Sequence, residues 1–159
     1  MDIMVYRIEW GKWLGSYVWD YFCTFTFKKN ITTNGAKKCF YSFIRGLNKE
    51  VAFFLVIEGG LLGARMHIHA LLGNMKNISR ETIEKSWMKR YGRAEASPYD
   101  MDLGASYYVC KELGNKAADW DVTTNLDKMR TVKEVIDKVT ALRKPYYENG
   151  ALKGYRITL

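Results

Sequence analysis

"VAFFLVIEGGLLGARMHIHALLG" (residues 51–73) consists of two apolar runs joined by a glycine-rich link. The first run, 51–58, is almost continuously apolar and rich in β-formers, which suits a central strand covered on both faces. The second, 65–73, reads as its antiparallel partner, because Gly59–Ala64 is turn chemistry. Upstream, "YFCTFTF" (21–27) alternates like a strand, and "KKNITTNG" (28–35) reads as a loop. From 35 to 50, Phe40, Phe43, Ile44 and Leu47 recur at helical spacing. Downstream, Ser79 caps a helix running to about Tyr91, with Glu81 and Lys85 paired at i,i+4. "GRAEASPYD" (92–100) reads as a short strand and turn, and 103–114 as a helix closed by Gly114. "NKAADWDVTTN" (115–125) reads as a loop, 131–144 as a helix stopped by Pro145, and "GYRITL" (154–159) as a last strand. The aromatic opening, 4–21, has no period that settles its type. Strands and helices interspersed, with hairpin-like links, predict an α+β fold: an antiparallel sheet carrying helices.

Composition bounds the partners. A chain of 159 residues suits one domain, here expected over 1–159, and 48% hydrophobic with 14% aromatic residues excludes a disordered chain. The net charge of +8 points to a polyanion such as nucleic acid, although a merely soluble basic domain carries such a charge as often. Cys23, Cys39 and Cys110 are scattered and form no CxxC pair, against both a disulfide framework and a structural zinc site. No signal peptide and no long apolar window is visible, so a cytoplasmic protein without a membrane span is expected.

His67 and His69 are the only two histidines. On a strand they point to one face while Met66, Ile68 and Ala70 point to the other, into the core. Both imidazoles can then reach one ion, and Glu58, at the end of the preceding strand, is the candidate third ligand. Two imidazoles and a carboxylate leave positions open for substrate, as catalytic rather than structural sites do. Two surface histidines and an edge carboxylate are the bland alternative, since HxH alone is a weak motif.

On the 103–114 helix, Leu103, Tyr107 and Cys110 form one stripe, expected to be buried, while Tyr108 and Lys111 project together at i,i+3 from a more polar face. A tyrosine hydroxyl, with a free pKa of about 10, attacks a phosphodiester when an ion polarises the phosphate and a nearby cation offsets the developing charge.

"CTFTF", "HIHALL" and "YVCK" occur in that order within 21–114. The set resembles the HUH endonuclease superfamily, specifically its rolling-circle replication initiators of single-tyrosine type. The resemblance implies a roughly five-stranded antiparallel sheet flanked by helices, with the metal on one sheet face. His67, His69 and Glu58 match the ligands of a divalent ion, Mn²⁺ or Mg²⁺. Tyr108 matches the nicking nucleophile and Lys111 its basic partner. The implied reaction nicks and rejoins single-stranded or hairpin origin DNA through a 5′-phosphotyrosine link, with host helicase and polymerase as further partners in the cytoplasm of a cell carrying a plasmid or virus.

Relaxases of the same superfamily usually use a third histidine, which this chain lacks. Adjacent Tyr107 and Tyr108 do not match the two-tyrosine spacing of some initiators. No Walker A motif occurs, so no fused helicase is expected, and 115–159 lies outside the resemblance as a C-terminal extension. Lys28, Lys29, Arg65, Arg80, Lys89, Arg90 and Arg93, with Lys37, Lys38 and Lys76, are candidate phosphate contacts. Three other readings remain open at this point: a single-strand transposase of the same superfamily, a non-catalytic RRM-like binding module, and an unrelated metal phosphodiesterase.

Overall fold

The computed structural model describes residues 2–59, 65–115 and 118–157. They pack as two compact units, Met1–Met129 and Arg130–Leu159. The stretch 115–159, expected as an extension of one domain, is shared between them.

The first unit runs α1 (Ile3–Gly15), β1 (Tyr21–Thr26), α2 (Thr33–Leu47), β2 (Ala52–Glu58), β3 (His67–Gly73), α3 (Arg80–Arg90), β4 (Ala94–Pro98), α4 (Ala105–Cys110) and β5 (Asp119–Val122). The five strands form one sheet in the order β4-β1-β3-β2-β5, and every neighbouring pair is antiparallel. This is the α+β architecture the sequence predicts. The link 60–64, read as a turn, lies outside the described residues.

Alternation along the strands divides the core. One sheet face presents Cys23, Phe25, Leu55, Ile57, Ile68, Ala70 and Leu72, covered by Phe40, Phe43 and Ile44 of α2 and by Ile83 and Trp87 of α3. The other presents Ala52, Phe54, Val56 and Leu71, covered by Leu14 of α1 and by Val109 and Cys110 of α4. Burial on both faces explains why 51–58 is apolar nearly throughout. Ser79 caps α3 as expected, its side chain accepting from the Thr82 amide. No helix among the described residues is long and apolar enough to cross a membrane.

Four expectations are corrected. Residues 119–122, expected as part of a loop, form the fifth strand: Asp119 and Asp121 turn to α2, where Lys37 Nζ lies 2.8 Å from Asp119 Oδ2 and the Tyr41 hydroxyl donates to Asp121. The helix expected over 103–114 is confined to Ala105–Cys110: Gly104 adopts φ 69°, a left-handed conformation that breaks a helix and that glycine tolerates, and 111–114 form a turn. Leu103, left outside the helix, is 81% exposed; Tyr107, expected to be buried, is 48% exposed, and the buried residues of α4 are Ser106, Val109 and Cys110. Finally, the expected 131–144 helix ends before Pro145 is reached.

The second unit consists of α5 (Val132–Leu142), β6 (Arg143–Glu148) and β7 (Ala151–Ile157). A capping box between Thr131 and Glu134 starts α5. Pro145 lies inside β6, which pairs with β7 in a separate two-stranded sheet. The strand expected at 154–159 thus belongs to this hairpin.

Candidate metal centre and tyrosine site

Register builds the site. Glu58, last in β2, faces His67, first in β3, and Thr24 of β1 faces His69 from the other side. All four side chains share the face covered by α1 and α4. Glu58 Oε2 lies 3.4 Å from His67 Nε2, and Glu58 Oε1 lies 3.8 Å from His69 Nε2. One ligand atom from each of the three residues falls within 4.8 Å of the others, so the group can hold a metal ion.

The second contact of each ring supports that use. His67 Nδ1 donates to the Arg65 carbonyl at 3.3 Å, which leaves Nε2 directed toward Glu58. His69 Nδ1 meets Thr24 Oγ1 at 3.0 Å, where the hydroxyl can accept from it. Partners of this kind fix the tautomer and orientation of metal-binding imidazoles. Burial, aided by the charges of His67 and Lys111, pushes the His69 pKa down to about 4, so its ring is neutral at physiological pH, as a ligand must be.

Glu58 Oε1 is buried without a hydrogen-bond partner. An orphaned buried carboxylate oxygen costs on the order of 1–3 kcal/mol or more, and a cation among these three side chains would remove that cost. The donor set and the orphaned oxygen both fit a divalent ion.

Tyr108 stands over this group. Its ring meets His69 edge-on at 5.2 Å and Phe22 edge-on at 5.7 Å, and Phe22 stacks on His69 at 6.0 Å. Lys111 Nζ donates to Tyr108 Oη at 3.0 Å and lies 3.6 Å from Glu58 Oε2, linking the hydroxyl to the carboxylate. Burial opposes the charge of Lys111, but the hydrogen bond to Tyr108 and the nearby Glu58 outweigh it and raise its pKa, so it is a cation at neutral pH. Tyr107 points elsewhere: its ring occupies the place where a Cβ at Gly11 of α1 would stand, 2.4 Å away.

The candidate phosphate contacts separate. Arg65 is exposed and adjoins the centre through its carbonyl. Arg93 is exposed, its carbonyl bonded to Thr26 beside His67. Lys28, Lys29 and Arg90 line one cavity, and Lys89 shares a second with Arg90. Arg80 lies at the far end of the sheet, near the start of β1, where Tyr21 Oη donates to the Ile78 carbonyl, and it leans on Glu81 and Glu84. Thr24 and Phe22 have roles at the site that were not assigned from sequence; the alternation of "YFCTFTF" (21–27) was the available signal, since it puts both on the histidine face.

No protein-family model, no curated protein and no solved structure matches this chain.

Proposed function

We propose that the chain is a metal-dependent endonuclease that nicks single-stranded DNA by transesterification onto Tyr108, in the manner of the rolling-circle initiators it resembles. The observation that carries this reading is Lys111, which joins the Tyr108 hydroxyl to the carboxylate of the Glu58–His67–His69 group. A structural tyrosine needs no such link.

Glu58, His67 and His69 would hold the ion, and two imidazoles beside one carboxylate favour Mn²⁺ over Mg²⁺. An ion held there would supply Lewis acidity to the scissile phosphate. Thr24 and the Arg65 carbonyl keep the imidazoles oriented. The rings of Phe22 and His69 hold the Tyr108 ring, and the Lys111 ammonium stabilises negative charge at Oη as the phenol loses its proton. The Tyr108 Oη–phosphorus bond forms as the bond to the 3′ oxygen breaks, and that oxygen takes up a proton. The products are a 5′-phosphotyrosine and a free 3′-hydroxyl, with no water consumed, so an incoming 3′-hydroxyl can reverse the step and rejoin the strand. The free 3′ end suits priming of rolling-circle synthesis at an origin hairpin by host helicase and polymerase, in the cytoplasm of the host.

The test is incubation of end-labelled single-stranded DNA with the chain and Mn²⁺, followed by a denaturing gel. A protein-linked band is expected for the wild type and for Tyr107→Phe, and none for Tyr108→Phe. Cleavage without a protein-linked band would favour a hydrolytic phosphodiesterase.

A further inference from the structure

The end of the sheet that carries Glu58 and His67 has a cavity on the opposite face. The chain leaving β1 at Phe27, Lys28 and Lys29, together with Cys39 of α2 and Arg90 and Tyr91 at the end of α3, lines a cavity of about 330 Å³. Its aromatic wall is rigid: Phe27 packs on Trp87 at 5.3 Å and Tyr91 on Trp87 at 4.7 Å. Its rim is basic, and among the described residues no carboxylate lies in ion-pair range of Lys28, Lys29 or Arg90. An aromatic wall under unneutralised cations matches a nucleotide, with a base to stack and a phosphate to neutralise.

We infer that this cavity binds one nucleotide of the same single strand whose phosphate reaches the Glu58–His67–His69 centre. Thr26, adjacent to Phe27, is the register partner of His67, which is the partner of Glu58. With strands about 4.8 Å apart, the mouth of the cavity is only a few nucleotides from the centre. The path turns over the end of the sheet, from the face covered by α1 and α4 to the face covered by α2 and α3. A flexible single strand makes that turn, whereas duplex DNA, with a persistence length of about 50 nm, does not. The cavity therefore selects single-stranded DNA and fixes its register relative to the cut. The inference takes from the proposed reaction only that single-stranded DNA is the substrate.

Cys39 supplies the test. It lines the cavity and is partly exposed, whereas Cys23 and Cys110 are buried. Burial raises the Cys39 thiol pKa, so labelling is done at mildly alkaline pH. Full-length Tyr108→Phe protein, in chelator so that no cutting intrudes, is treated with a maleimide, and intact mass reports the label, with Cys39→Ser as the control for its position. A random-sequence single-stranded oligonucleotide pool at ten times its Kd should slow labelling about tenfold. The same pool as duplex, or mononucleotides at equal concentration, should not. Replacing Lys29 and Arg90 together with Glu should abolish protection while leaving the thermal shift caused by Mn²⁺ intact. Bound oligonucleotide with unchanged labelling overturns the inference, as do a failure of the oligonucleotide to bind and equal protection by duplex or mononucleotide. A covalent adduct without Cys39 protection overturns the cavity alone, and protection without any adduct overturns the nicking reaction alone.

Discussion

Replacing Glu58 with glutamine keeps the side chain's shape and removes its charge. In the absence of metal the cost is small: the cation beside it, Lys111 at 3.6 Å, is partly exposed, so loss of that pair stays within about 1 kcal/mol. The response to metal is where the variants part. At a hundredfold excess over Kd, an ion bound only by the folded wild type adds about 2.7 kcal/mol. The Met1–Met129 unit, at about 2.1 cal/mol/K per residue, unfolds with an entropy near 0.27 kcal/mol/K. The midpoint should therefore rise by about 10 °C. A neutral amide is a poor third ligand for a hard cation. If Glu58→Gln weakens binding a hundredfold, the same Mn²⁺ concentration adds about 0.4 kcal/mol, or a rise of 1–2 °C by the same conversion. Differential scanning fluorimetry of chelator-treated protein titrated with Mn²⁺ measures both responses. An equal rise in wild type and Glu58→Gln would refute the assignment of this carboxylate to the metal.

Further outcomes follow from neighbouring contacts. Thr24→Val removes the hydroxyl at His69 Nδ1 and should weaken Mn²⁺ binding about 10–100-fold, as loss of a ligand's outer partner does, read by calorimetric titration; an unchanged affinity would show that Thr24 does not orient the ring. Metal-free stability should fall on acidification between about pH 6.5 and 4, because the unfolded His69 takes up a proton near its ordinary 6.5 while the folded ring resists until about 4. The full loss is on the order of 3 kcal/mol, and denaturant melts of the wild type and His69→Asn over that range should converge toward low pH. Gly92→Ala places a Cβ 2.2 Å from the Thr26 carbonyl oxygen, so the backbone must shift; a loss of roughly 1–3 kcal/mol is expected in the same melts, and a neutral result would refute the tight approach of the link between α3 and β4 to the end of β1.

How much was legible follows the range of the forces involved. The β2–β3 pairing and the shared face of Glu58, His67 and His69 were readable because alternation and a glycine link are local signals, and register carries one into the other. The i,i+3 spacing of Tyr108 and Lys111 was equally local and survives in the short α4 and the turn after it. The fifth strand was hidden, since "DWDV" carries two aspartates whose partners, Lys37 and Tyr41, lie about eighty residues away. In α1 the aromatics are spread around the helix, with Trp10 meeting Trp13, Phe54 and Trp120, so no apolar stripe marks it. The expected burial of Leu103 failed because Gly104 lets the backbone turn left-handed and takes Leu103 out of the helix, and that of Tyr107 because the buried face of α4 runs through Ser106, Val109 and Cys110. The cavity at Cys39 joins three separate segments and had no sequence signal beyond the individual cations that line it.

The proposed nicking reaction rests on one atom, Tyr108 Oη. The most direct measurement is to react the wild type with single-stranded DNA and Mn²⁺, digest the product with protease and nuclease, and locate the nucleotide-modified peptide by mass spectrometry. A 5′-linked nucleotide on Tyr108 is the expected result. A nucleotide on Tyr107 or another residue, or cut DNA with a free 5′-phosphate and no modified peptide, would contradict it.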